Sequence, residues 1–269
     1  MYQFRSLHEI SMQQLAECFN LAFSDYEQPI CFTPESLSYY ITASAIDLSL
    51  SFGAFCNEQM VAFILNSSGI YHNQNVVFDA GTGVIPEHRG KKVFSALFEY
   101  TAEQLQHRSI AKYYLEALQS NHHAVSIYSK KGFTVSREYT VLAATGPGHG
   151  LNNHIAPIPY QDFDAFATKF SVEPSFEHTS YTINQNPQLY EVLYLETQAY
   201  CIYAKRNGAI IQMHYNELGA LKEVISALIN RYPSAMAKNI DCGCPEVIQM
   251  LLEIGFQEIT TQYEMVRDV

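Results

Sequence analysis

The sequence predicts an α/β fold built as two successive halves, and three observations predict it. Helical and strand periodicities alternate through the first 144 residues. A break rich in glycine, Thr145-Gly146-Pro147-Gly148-His149-Gly150, follows. Beyond it the same order of elements returns. A chain of 269 residues accommodates two domains of roughly 100–150 residues each. The expected division is therefore a first domain over residues 1–144, a linker over 145–153 and a second domain over 154–269.

In the first half, residues 11–22 place Met12, Leu15, Ala16 and Phe19 at a helical period, with Phe23 continuing the stripe. Thr33 is a helix cap with Pro34 at the first helical position. Residues 50–55 and 60–65 flank Cys56-Asn57-Glu58-Gln59 as a hairpin. Residues 76–85 read as a strand, 93–106 as a helix, 113–118 as a strand, 124–131 as a helix and 133–143 as a closing strand. In the second half, 199–204 and 209–214 flank Lys205-Arg206-Asn207-Gly208 as a hairpin. A helix over 217–230, a strand over 235–241, a helix over 246–253 and a strand from Phe256 follow. Laying Gly132-Phe133 over Gly255-Phe256 without gaps puts Asn121 on Cys244, Ala124 on Val247 and Tyr128 on Leu251. The second half thus repeats the helix and its glycine stop with none of the polar groups.

Composition excludes several classes. With 48% hydrophobic and 16% charged residues the chain can bury substantial cores. It has no run of about 18 apolar residues, and Met1-Tyr2-Gln3-Phe4-Arg5 does not begin a signal peptide, so a soluble, cytoplasmic protein without membrane contact is expected. The formal charge of −11 argues against nucleic acid and favours cationic substrates such as amines. Cys18, Cys31, Cys56, Cys201, Cys242 and Cys244 are scattered, which predicts reduced thiols. Cys242-Gly243-Cys244 lacks a second Cys/His pair at metal spacing, and no metal is expected.

Two segments carry the chemistry. Asn121-His122-His123-Ala124-Val125-Ser126-Ile127-Tyr128-Ser129-Lys130-Lys131-Gly132-Phe133 places Ala124 and Tyr128 on one helical stripe. Gly132 stands where a left-handed residue would end that helix. Upstream, Val84-Ile85-Pro86-Glu87-His88-Arg89-Gly90-Lys91-Lys92-Val93-Phe94 reads as a strand end, a basic turn and a helix start. A helix start offers converging N–H donors and a favourable dipole to a pyrophosphate. In this order the two segments resemble the signature motifs of the GNAT superfamily, the acyl-CoA-dependent N-acyltransferases.

The resemblance implies two GNAT-like modules, the second degenerate, each a mixed, mostly antiparallel sheet splayed at the acyl-CoA slot and flanked by helices. It implies acetyl-CoA as co-substrate and a small-molecule or peptide amine as acceptor, attacked directly in a ternary complex. Gly83, Val84 and Ile85 would pair with the pantetheine arm, and Arg89, Gly90, Lys91, Lys92, Val93 and Phe94 would cradle the pyrophosphate. Asn121 would hold the arm or the splayed strand, and a backbone N–H at Val84 or Ile85 would polarise the thioester carbonyl. Tyr128 would protonate the departing thiolate. The base is Glu116, a carboxylate in an apolar strand, or Asp79 on the neighbouring strand, or water. Tyr26, in the acidic and aromatic segment 23–29, would line the acceptor site with Asp79. The family's turn is Arg/Gln-x-x-Gly-x-Gly/Ala, and this chain puts Lys92 and Phe94 at the small positions; a helical φ at Lys92 and a core-directed ring at Phe94 would accommodate both. The second half would cover the substrate side or form a homodimer contact. A non-catalytic acyl-CoA sensor, and a transferase using a longer acyl or aminoacyl donor, are the alternatives.

Overall fold

A computed structural model describes residues 1–25, 31–147, 155–166 and 169–269, and resolves two compact units: Met1–Leu115 with Val266–Val269, and Glu116–Met265. The boundaries fall inside two strands, so the units do not coincide with a division after residue 144.

The first unit opens with β1 (Gln3–Ser6), α1 (Met12–Ala22) and α2 (Pro34–Ala43). Ser11 caps α1 by accepting the Gln14 N–H, and Thr33 and Ser36 form a reciprocal capping box on α2. β2 (Phe52–Cys56), β3 (Gln59–Tyr71), β4 (Gln74–Val84), α3 (Val93–Gln106) and β5 (Lys112–Leu118) follow, with strand order β1-β2-β3-β4-β5. β3 runs farther than the hairpin reading of 60–65, because His72 and Asn73 both take positive φ and close a second tight hairpin onto β4. One face packs on α1, where Phe19 stacks on Phe63 at 5.0 Å between ring centroids. Phe52, on the other face, meets Tyr100 of α3 edge-on. A Cβ on Gly83 would lie 2.6 Å from Phe63 and 2.9 Å from Ala22, so this close strand–helix approach requires glycine.

β4 pairs antiparallel with β3 and parallel with β5, but the parallel register runs only from Val76–Lys112 to Asp79–Leu115. Just there β4 carries one extra residue, Ala80, against β3. Asp79 braces that bulge, accepting the Gly81 N–H at 3.0 Å and the Thr82 hydroxyl at 2.6 Å. β4 then continues to Val84 beyond its registered partners on β5.

The second unit contains α4 (His122–Lys130), β6 (Thr134–Ala144), β7 (Ile158–Pro159), α5 (Ser180–Gln185), β8 (Tyr190–Leu195), β9 (Ala199–Ala204), β10 (Ile210–Tyr215), α6 (Leu218–Arg231), β11 (Met236–Asp241), α7 (Pro245–Glu253) and most of β12 (Phe256–Asp268). Its strand order is β12-β6-β11-β10-β9-β8-β7. β6 pairs antiparallel with β11, and Leu142 and Ala144 join one core with Leu221, Val224 and Leu228 of α6 and Leu251 of α7. β10 meets β11 in parallel at a single registered pair, Ile210–Ala237.

An internal repeat is visible within this unit. The offset that carries Gly132 onto Gly255 also carries Gln119 onto Cys242 and Glu138 onto Thr261. The Gln119 N–H donates to the Thr261 carbonyl at 3.0 Å, and the Cys242 N–H donates to the Glu138 carbonyl at 2.9 Å. Asn121 and Cys244 occupy the N-cap positions of α4 and α7, and both helices stop at a left-handed glycine.

Candidate functional site

In the first unit the relevant piece is the end of β4 and the turn into α3. Val84 faces Ala62 across β3, and the next N–H along, that of Ile85, donates to the Val61 carbonyl at 3.0 Å. Val84–Ala62 is therefore a non-hydrogen-bonded pair, whose N–H and C=O point away from β3. Of the two amides named as carbonyl polarisers, Ile85 is committed within the sheet and Val84 is directed to the open side of β4.

The chain then makes a single 3-10 turn (Pro86–His88) and passes through Gly90 at φ +71° and Lys92 at φ +60°. Two left-handed residues bend it sharply into α3, and a Cβ at Gly90 would meet nothing within 4 Å. α3 begins with no side-chain cap and no acidic residue in its first turn. A 14-residue helix that presents its first amides beside exposed Lys91 and Lys92 suits an anion. Val93 is buried, and the half-buried Phe94 packs its ring 5.8 Å from Phe98.

Arg89 is engaged within the fold itself. Its Nε donates to the Val84 carbonyl at 3.0 Å, and its Nη2 to the Ala22 carbonyl at 2.7 Å. Both terminal nitrogens grip the Asp25 carboxylate, which this contact holds below the usual carboxylate range. The guanidinium thus ties the end of β4 to the C-terminus of α1, where carbonyls need donors. It leaves the exposed cations of the turn to Lys91 and Lys92, and it neutralises Asp25, part of the acidic rim read in segment 23–29. Tyr26 lies outside the described residues. Asp79, the alternative base, is buried and engaged in bracing the β4 bulge.

In the second unit, Asn121 caps α4 by accepting the Ala124 N–H at 3.1 Å. The helix ends at Gly132, φ +89°, with the Phe133 N–H bonded to the Tyr128 carbonyl and the Gly132 N–H to the Ser129 carbonyl. This double closure is a Schellman motif, and its apolar contact is the edge-on packing of the Tyr128 and Phe133 rings at 5.7 Å. The termination therefore sets the place of the half-buried Tyr128 on its helix. His122 and His123 are both exposed.

Glu116 is half-buried on β5. The Asn239 amide donates to both of its oxygens at 2.8 Å, and the Gln262 amide donates to one at 3.2 Å. Burial, and next the charge of Glu177, push its carboxyl up to about 8; the amide donors pull the other way. Glu264, close by, shows the contrast. Burial raises it too, but the Arg137 guanidinium at 3.0 Å, with Ser136 and Tyr139, outweighs burial and leaves it below the usual range. Two neighbouring carboxyls, one with a cation and one without, are driven in opposite directions. Asn239, Gln262 and Glu177 had not been singled out in the sequence. One signal pointed to the first: the repeat offset carries Glu116 onto Asn239.

In the second half a segment of the chain itself packs against β10 and β11. The Gln212 amide donates to the His178 carbonyl at 3.0 Å, and segment 172–178 lies against β10 and β11, leaving room for about one water. Glu217 stands at the N-cap position of α6, where α3 has Lys92, without a side-chain bond to the helix, and Leu251, the counterpart of Tyr128, is fully buried.

Comparison with known proteins bears on the first part of the chain. The model of the acetyltransferase (GNAT) family matches residues 11–133. Residues 11–133 are a GNAT domain. No curated protein matches the sequence. Among solved structures, a putative acetyltransferase from Pyrococcus horikoshii superposes with a TM-score of 0.72 at 12% identity, covering 100% of this chain and 89% of its own. A GCN5-related N-acetyltransferase from Sphaerobacter thermophilus gives 0.68 at 13%, covering 99% and 95%. Both are likenesses of fold over the whole chain. Against the GNAT turn pattern, Lys92 departs from the helical φ expected of it. It takes the left-handed conformation where the family has glycine, at a cost of roughly 1–2 kcal/mol. Phe94 is accommodated by packing along α3 onto Phe98.

Proposed function

We propose that this GNAT protein is an N-acetyltransferase that moves an acetyl group from acetyl-CoA to a primary amine of a small molecule or peptide, by direct attack in a ternary complex. The observation that carries the reading is the uncapped, acid-free start of α3 beside Lys91 and Lys92, reached from a β4 end whose Val84 amide points away from its neighbour strand. These groups match a pyrophosphate and a thioester carbonyl in charge and in donor type. Val84 would polarise the carbonyl, with Gly83 and Ile85 setting the strand's path and Gly90 the turn. When bound, acetyl-CoA supplies the activated acyl group.

Glu116 would take the proton of the incoming ammonium, directly or through water. A carboxyl held near 8 is basic enough for that exchange, and an ammonium beside it favours its ionised form. Tyr128 would give a proton to the leaving thiolate, and Asn121 would fix the start of the helix that carries it. We read the chain as two GNAT-like modules, residues 1–144 and 154–269, of which the second has lost its slot. The buried Leu251 and Glu217 at the N-cap position of α6 support that reading.

Thiol release from acetyl-CoA over a panel of amines, in wild type and Tyr128→Phe, tests the assignment. The expected outcome is turnover in wild type and a loss of about 10- to 10⁴-fold in the variant, with near-normal coenzyme A affinity. Coenzyme A binding without turnover of any amine would favour the sensor reading instead.

A further inference from the structure

The geometry points to Asn239, a residue of the second half, as the positioning residue that holds Glu116 ready to act as the base. This rests on the acyltransferase reading given above. Three observations carry it. First, the Asn239 amide spans both oxygens of Glu116 at 2.8 Å and also reaches the Ser175 hydroxyl at 3.2 Å, while its own oxygen accepts from Gln262 at 3.4 Å. The contact fixes the plane of the carboxylate as well as its position.

Second, the backbone is bent to make the contact. Asn239 sits at φ +55° in the middle of β11, where Lys238 and Asn239 together face the single residue Val141 of β6. Such a bulge redirects a side chain, and bulges of this kind concentrate beside active sites. Asparagine is among the few residues that take this conformation readily. Third, Asn239 is the counterpart of Glu116 in the internal repeat. The half without a slot of its own has an amide where the first half has a carboxylate, and the two side chains bond to each other. A carboxylate at both positions would have set two buried like charges together.

The charged groups around Glu116 are Glu177 and Glu264, the latter already paired with Arg137, which also approaches Asp241 at 3.6 Å. Glu116 therefore depends on neutral amide donors for its ionised form, and Asn239 supplies the shortest of them.

The test compares wild type, Asn239→Gly and Asn239→Asp. Glycine keeps the left-handed backbone and removes only the amide; aspartate keeps the shape and replaces the donor with a like charge. The acid limb of kcat/KM against pH is expected to move up by about one unit in Asn239→Gly and farther in Asn239→Asp, with the KM for acetyl-CoA unchanged. The Glu116 carboxyl followed by ¹³C NMR should titrate upward by the same amount, whether or not an amine is turned over. An unmoved Glu116 titration overturns the proposal, and so does a shifted titration with an unmoved acid limb. If wild type turns over no amine while the Glu116 titration still shifts, the acyltransferase reading fails and Asn239 is shown to govern a carboxyl that is not a base. Should the glycine variant not fold, the aspartate variant carries the same comparison.

Discussion

At the scale of single residues, the candidate chemistry rests on side chains whose surroundings set them apart from others of their type. Glu116, half-buried, and Glu264, buried, are carboxyls of one unit, yet only Glu264 has a guanidinium. That difference gives a pH dependence of known sign. Glu116 titrates near 8 in the fold against an ordinary 4.5, so its contribution to stability is complete below the lower value. The contribution is lost as pH rises through the upper one. Glu116→Gln removes this loss, and its melting temperature should match wild type near pH 5 and exceed it at pH 9. The same variant should lose most of its turnover and the acid limb near pH 8, as read from initial rates across the range. The carboxylate was legible in the sequence because it stands in an apolar strand. Of its partners only Asn239 had a signal, the offset between the two Gly-Phe pairs; Gln262 and Glu177 lie far away along the chain and only folding brings them near.

At the scale of elements, local chemistry wrote most of what was readable. The Ser11 and Thr33 caps, the α3 span and the left-handed stop at Gly132 are all decided by neighbours within five residues. Gly132→Ala should therefore destabilise the protein by about 1 kcal/mol through its φ of +89°, lowering the melting temperature by a few degrees in a thermal scan. Less legible were the parts decided at a distance. Asn66-Ser67-Ser68-Gly69 falls outside the strand read over 60–65, but all four residues lie within β3, where Asn66 is buried against the Leu50 carbonyl and the Tyr113 hydroxyl. Arg89 looked like a phosphate ligand because its neighbours are basic. The Ala22 and Val84 carbonyls and the Asp25 carboxylate, distant along the chain or outside that reading, also bond to it.

At the scale of the whole molecule, the account rests on the proposal of two GNAT-like halves, of which only the first keeps a slot. Matched Gln119–Thr261 and Cys242–Glu138 bonds support that proposal, as do two nine-residue helices with corresponding N-cap positions and glycine stops. In the sequence the proposed repeat shows only as one Gly-Phe pair, because apolar residues stand where the first half has polar ones. The first half has Lys91 and Lys92 at the start of α3, while the second has Glu217 at the start of α6 and a buried Leu251. Calorimetric titration of coenzyme A into the full chain tests this most directly. One equivalent should bind per chain, with affinity weakened about 10-fold or more in Lys92→Glu. Absence of binding, or two equivalents per chain, would contradict it.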